Sequence, residues 1–259
     1  RNVIILFLTL ISSMACWGTD RYYFTNLSLK DGLSQITVTS IFQDKKGFMW
    51  FGTRNGLNRY DGYKFDHFTF DAQDNNSISD NHILCLTEDN SGNLWIGTNN
   101  GLNRLDISTD KFKRYFSDKG ILNTLSNNTI LSIYCDPQDN IWIGTNEGLN
   151  LYDRKKDSFI RIDMDSLFFS NSIYGITYNN GNLYLGTYRN GVVKYGINSK
   201  DYSLLSGSPQ YIRSIYFDHN ENLWVGTQNS GAYCLKKSGN SFLVYNTGSG
   251  LTNNYVRSI

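Results

Sequence analysis

The amino-acid sequence predicts an all-β protein, a β-propeller of four-stranded antiparallel blades, and three observations carry that prediction. First, a Trp-x-Gly-Thr element recurs at residues 50–53, 95–98, 142–145 and 224–227, with a Tyr-led copy at 184–187. Second, its glycines, Gly52, Gly97, Gly144, Gly186 and Gly226, are 45, 47, 42 and 40 residues apart. A repeat of ~40–45 residues made of short strands is the period of a propeller blade. Third, the 259 residues include 31 Asn and 23 Gly, 15% are aromatic and only 2 are Pro. Asn and Gly supply tight turns, aromatics favour strands, and scarce Pro leaves every ladder N–H able to donate.

Taken from the N-terminus, residues 3–11 form a nine-residue apolar run preceded by Arg1 and followed by Ser12, Ser13 and Ala15. Residues 1–20 therefore read as a secretory signal peptide clipped at its start. The run falls short of the ~20 residues that span a bilayer. Cys16, after Ser-Met-Ala, loosely resembles a lipoprotein box in which Ser13 is out of pattern. Residues 21–259 are expected to be the propeller. Residues 22–25 are expected to be a stray outer strand, and residues 251–259 a lone first strand of a further blade.

Between them lie five complete units, at about 31–70, 76–116, 123–162, 169–205 and 208–245, with the next beginning at 250–259. In each unit the first strand runs up to the turn, meeting an Asp after 38–43 and 130–135. The second carries Trp-x-Gly-Thr. The third opens with Gly-Leu-Asn at Gly56, Gly101 and Gly148, drifting to Gly191-Val192-Val193 and Gly231-Ala232-Tyr233. The fourth is an aromatic run, at 64–70, 111–116, 158–162, 203–205 and 241–245. Asp and Asn in the connecting turns, such as 89–93 and 218–222, offer side-chain oxygens to backbone N–H groups.

Period-2 geometry then assigns the packing. Trp95 and Gly97 share one face, where the indole lies over the following blade and the glycine permits close approach. Ile96 faces the preceding blade, so the strand is apolar on both sides. Positions that repeat in every blade are expected to pack and turn: Trp50, Gly52, Trp95, Gly97, Trp142, Gly144, Tyr184, Gly186, Trp224 and Gly226 are structural.

Composition also excludes function classes. Lys+Arg total 24 against 23 Asp+Glu, with no charge runs, so this segment is not built to hold nucleic acid through its phosphates. There is no G-x-S-x-G, P-loop or H-E-x-x-H motif. His67, His82 and His219 are not at ligand spacing, and Cys85, Cys135 and Cys234 match no metal or redox pattern. No catalytic residue, metal or cofactor is expected.

Residues 89–106, with Asp89, Gly92, Trp95, Gly97, Thr98, Gly101, Leu102 and Asn103, resemble the two-component regulator propeller repeat. The leader Asp31-Gly32-Leu33-Ser34 before Val38 to Ile41 is similar to that family too, and the likeness covers residues 22–259. The resemblance implies the periplasmic sensor region of hybrid two-component histidine kinases of Bacteroidetes. It implies seven-bladed propellers, so the chain is expected to be an incomplete one, continued by a membrane helix and a kinase. It also implies an oligosaccharide ligand, with a homodimer as a further expected partner. The turns also loosely resemble the Asp-box of sialidase-like glycosidases, but lack its Ser and Thr-Trp pair. A glycosidase or a non-catalytic envelope scaffold therefore stands as the alternative.

A ligand site is expected where copies differ, at the end of the ring that holds the second-to-third-strand turns and the blade-to-blade connections. There Arg54, Glu147, Tyr188, Arg189 and Gln228 break the pattern after Gly-Thr. His82, Tyr211 and Tyr255 do so at inner-strand starts, where other copies have Thr37, Thr129 and Ser172. The candidate ligand-binding set is His82, Glu147, Tyr188, Arg189, Tyr211 and Tyr255, since aromatic platforms with charged partners suit sugars. Ordinary solvated loop residues are the alternative for any one of them.

Overall fold

The computed structural model describes residues 24–163 and 172–259. Twenty strands fall into five four-stranded antiparallel sheets, each in simple meander order. Blade one comprises β1 (Val38–Gln43), β2 (Met49–Thr53), β3 (Gly56–Tyr60) and β4 (Phe65–Phe68). Blade two comprises β5 (Ile83–Glu88), β6 (Asn93–Thr98), β7 (Gly101–Asp106) and β8 (Lys111–Tyr115). Blade three comprises β9 (Ile130–Cys135), β10 (Ile141–Thr145), β11 (Gly148–Asp153) and β12 (Ser158–Ile162). Blade four comprises β13 (Ile173–Asn179), β14 (Asn182–Thr187), β15 (Val192–Gly196) and β16 (Tyr202–Leu204). Blade five comprises β17 (Ile212–Phe217), β18 (Leu223–Thr227), β19 (Ala232–Leu235) and β20 (Phe242–Tyr245). The only helix among the described residues is two 3₁₀ turns, Leu29–Asp31 and Thr247–Ser249.

Each core lies between two blades. Trp50 and Leu57 of blade one pack with Ile83, Leu94, Ile96 and Leu105 of blade two. Trp95 and Leu102 pack with Ile130, Ile141, Ile143 and Tyr152 of blade three. Trp142 and Leu149 meet Ile173, Ile176, Leu183 and Leu185 of blade four. Val192 of blade four joins Ile212, Leu223 and Val225 of blade five. Trp50 and Trp95 are fully buried and Trp142 nearly so. Tyr184 and Trp224 are half-buried, Tyr184 edge-on to Phe217 and Trp224 stacked on Tyr245.

The second-strand glycines mark where two blades approach most closely. A Cβ on Gly52 would lie 2.6 Å from Ile83 Cγ2, one on Gly97 2.7 Å from Ile130 Cγ2, and one on Gly186 2.7 Å from Ile212 Cγ2. In each case the isoleucine is at the start of the next blade's innermost strand. Only a residue without a Cβ fits.

Trp-x-Gly-Thr also ties four of the five blades to their own turns. The indole Nε1 of Trp50, Trp95, Trp142 and Trp224 donates to the carboxylate of Asp44, Asp89, Asp136 and Asp218 at 2.8–3.0 Å. The other carboxylate oxygen accepts two backbone N–H groups of the turn, for example those of Ser91 and Asn93 on Asp89. A buried indole needs an acceptor, and this aspartate is both turn former and acceptor. Buried Asn58, Asn103 and Asn150 of Gly-Leu-Asn likewise accept the N–H of Ser34, Ser79 and Ser126 in the loop before their own blade's innermost strand.

Two expected strands differ from the structure. Residues 24–25 form no strand and Phe24 is exposed, while Tyr22 and Tyr23, like the expected signal peptide at 1–20, lie outside the described residues. Residues 251–259 are irregular rather than a first strand. Among the described residues no strand pairs with this segment. The segment nevertheless occupies the place of an inner strand. Val256 N–H donates to Thr227 O at 2.8 Å, and Val256 closes over Gly226 as the isoleucines close over the other glycines.

Candidate ligand-binding site

Every innermost strand carries the same irregularity near its start. Its register slips by one residue between Val38 and Ser40, Ile83 and Cys85, Ile130 and Ser132, Ile173 and Gly175, and Ile212 and Ser214. A bulge of this kind leaves one residue out of the ladder and re-aims its side chain. The five residues so released are Thr39, Leu84, Leu131, Tyr174 and Arg213. Thr39 turns back on the backbone, donating to Gly52 O and Ile83 O. Leu84 and Leu131 are apolar. In blades four and five the position carries an aromatic ring and a cation.

Those two residues meet the loop residues of the same end. The Tyr174 and Tyr188 ring centroids are 5.7 Å apart, and Tyr188 meets Tyr211 edge-on at 5.1 Å. The guanidinium carbon of Arg213 lies 4.5 Å from the Tyr174 centroid and 5.4 Å from that of Tyr188. Arg213 Nη2 donates to Gln228 Oε1 at 2.6 Å. Its Nε is buried with no acceptor.

Backbone hydrogen bonds hold the parts in place. Tyr188 N–H donates to Ser172 O, Tyr211 N–H to Tyr188 O at 2.6 Å, and Gln228 N–H to Tyr211 O. Tyr211 has φ +55°. A bulky side chain seldom takes the left-handed region, and such strain persists where surroundings over-determine it, often at a ligand site. Aromatic faces, a planar cation and an amide together can stack on a ring and hydrogen-bond its substituents.

Of the six candidates from the sequence, the structure brings Tyr188 and Tyr211 together. Arg189, next to Tyr188, is exposed. Glu147 is exposed at the β10–β11 turn and accepts from Asn127 Nδ2 at 3.1 Å. His82 is half-buried before β5; burial lowers its proton affinity, as do the charges of Arg54 and Arg257, with Asp80 opposing them. Tyr255 is exposed, and its ring pairs with no aromatic ring among the described residues. Among the described residues no ring pair or hydrogen bond ties Glu147, His82 or Tyr255 to the cluster. Tyr174 and Arg213 were not among the candidates. Their signal is a column of the repeat that reads Thr, Leu, Leu, Tyr, Arg, and its meaning depends on the bulge.

Two of the cysteines are held as neutral thiols. Burial pushes the Cys85 thiol up to about 12, and burial together with hydrogen bonding to Asp139 does the same for Cys135. Among the described residues no group of three or more His, Cys, Asp or Glu could hold a metal ion, and no helix is long and apolar enough to cross a membrane.

Repeated four-stranded blades joined at Gly–Ile contacts, with one distinct cluster at a loop end, define a propeller whose repeat is structural and whose variable positions gather at one junction. Comparison with known proteins agrees and gives the type of repeat. The family model for the two component regulator propeller matches residues 32–55, 77–100, 124–147 and 206–229. Four repeats of the chain are thus of the two-component regulator propeller type.

A curated protein named histidine kinase P4, from Formosa agariphila, is 40% identical over 83 residues, which are 30% of this chain and 6% of that protein. Among solved structures, the extracellular domain of a hybrid two component system from B. thetaiotaomicron superposes with a TM-score of 0.71 at 23% identity. That match covers 92% of this chain and 39% of that one. A virginiamycin B lyase from Staphylococcus aureus superposes at 0.61 with 16% identity, covering 79% of this chain and 68% of that one. At these identities the structural likeness is one of fold. The chain spans a small part of the curated relative and about two fifths of the extracellular domain.

Proposed function

We propose that this chain is the ligand-sensing propeller of an exported two-component regulator. In this reading it binds an oligosaccharide at the junction of blades four and five and passes the signal to a histidine kinase in the same polypeptide. The observation that carries the reading is the gathering of Tyr174, Tyr188, Tyr211, Arg213 and Gln228 at one place on the loop end. The equivalent released positions in blades one to three carry Thr39, Leu84 and Leu131. A repeat that only had to pack would have no need of a tyrosine and an arginine there, or of the strained Tyr211 beside them.

The type of repeat supports the sensing role, and the sequence pattern of residues 1–20 supports export. The binding role is read as non-catalytic, because the cluster holds no carboxylate or histidine to act as acid or base.

The test is a calorimetric titration of the 259-residue chain with a panel of plant and host oligosaccharides. At least one should bind, and Tyr188→Ala, which removes the central ring, should weaken it by ~10-fold or more, as when an aromatic anchor is truncated at the centre of a binding site. Unchanged affinity in Tyr188→Ala would displace the site from this junction. Turnover of a chromogenic glycoside would replace the sensor with a hydrolase.

A further inference from the structure

We propose that the oligosaccharide is acidic and that its carboxylate or sulfate ester is received by the Arg213 guanidinium; this rests on the junction of blades four and five being the saccharide site.

The other part-buried arginines have their charge or donors accounted for. Arg59 pairs with Asp66 and Asp110, and Arg154 with Asp89 and Asp139. Arg104 lies by Asp157 and donates to Tyr152. Arg114 and Arg161 donate to loop carbonyls, Arg114 to those of Ser77 and Asp74, Arg161 to those of Thr124 and Leu125. Arg213 differs. Among the described residues no carboxylate pairs with it, one nitrogen reaches a neutral amide, Nη1 donates to no residue, and Nε has no acceptor.

Holding a half-buried cation without a counter-charge costs free energy. Here two tyrosine faces offset part of that cost and lock the orientation of the planar group. An oriented fork with unused donors matches the two or three oxygens that a carboxylate or sulfate presents. The tyrosines then supply the stacking surface for the ring that carries the acid.

The experiment titrates the 259-residue chain with three trisaccharides of one length: trigalacturonate, a sulfated galactotriose and neutral galactotriose. One of the acidic probes should bind ~10-fold or more tightly than the neutral one, as a charge-assisted hydrogen bond allows. The stronger acidic probe identifies the carboxylate or the sulfate. The gap should narrow with added salt. Arg213→Gln should close it. Arg213→Lys, which keeps the charge but loses the fork, should leave a reduced gap and serves if the glutamine variant fails to fold by circular dichroism. Equal binding of acidic and neutral probes, or a gap that survives Arg213→Gln, would overturn the acidic ligand. In that event Tyr188-dependent binding of the neutral probe would leave the saccharide site standing. Binding of none of the three would overturn both.

Discussion

Asp89 illustrates how much one residue of the repeat does. It is fully buried, yet its carboxylate accepts the Trp95 indole, the Ser91 and Asn93 N–H groups and the Asn93 amide, and pairs with Arg154 of the next blade. Burial alone would raise its pKa. The hydrogen bonds and the arginine outweigh burial and hold it below the ordinary value. A folded pKa below the unfolded one gives stability that is fully present above about pH 4 and is lost as pH falls through the folded value. Melting temperature measured from pH 7 downward should therefore drop steeply below about pH 4 in the parent chain. Asp89→Asn should start lower at pH 7 and lose less on acidification, so that the two curves converge. Parallel curves would show that Asp89 does not carry the acid sensitivity.

Elements are held by side chains that leave one strand and satisfy the next connection. Asn103 on β7 is buried, with Oδ1 accepting the Ser79 N–H at 2.8 Å and Nδ2 donating to Ser79 Oγ at 2.9 Å. Ser79 lies in the loop that leads into β5, so this pair fixes the entry to the inner strand. Asn103→Ala orphans a buried N–H and should cost ~1–3 kcal/mol in chemical denaturation. A loss below ~0.5 kcal/mol, the usual scatter of neutral substitutions, would mean that water takes over the asparagine's role. Blades four and five lack this asparagine, having Val193 and Tyr233 instead. In blade four the neighbouring Val192 N–H is served by Ser208 Oγ at 3.0 Å, reached from the connection to blade five. The blades that depart from the loop pattern are also the blades whose junction holds the tyrosine–arginine cluster.

At the level of the assembled ring, stability is a sum over neighbouring blades. The cluster around Trp50 joins blades one and two, and that around Trp142 joins blades three and four; they share no residue. Trp50→Ala and Trp142→Ala should each cost ~3–5 kcal/mol, as for large buried aromatics. Their effects should add within ~0.5 kcal/mol in the double variant. A larger departure would mean that blades communicate beyond their neighbours, contrary to a repeat array. The same modularity frees the loop end for change: residues there vary from blade to blade without touching the Gly–Ile contacts that hold the ring.

The architecture was legible in the order of residues alone. A motif repeated at a blade-length period, the two-faced apolar second strand and the Asn- and Gly-rich turns specify the four-stranded blades and the packing of Trp95, Gly97 and Ile96. These features are legible because each blade must solve the same local problem, so the solution is written five times. Tyr188 and Tyr211 could be singled out because they break that pattern in plain view. That Tyr174 and Arg213 join them emerges only on folding, since a one-residue bulge moves a side chain out of the alternation that a strand otherwise obeys. Folding also decides which of the pattern-breaking residues meet, because proximity across blades is a property of the assembled blades and not of any one repeat.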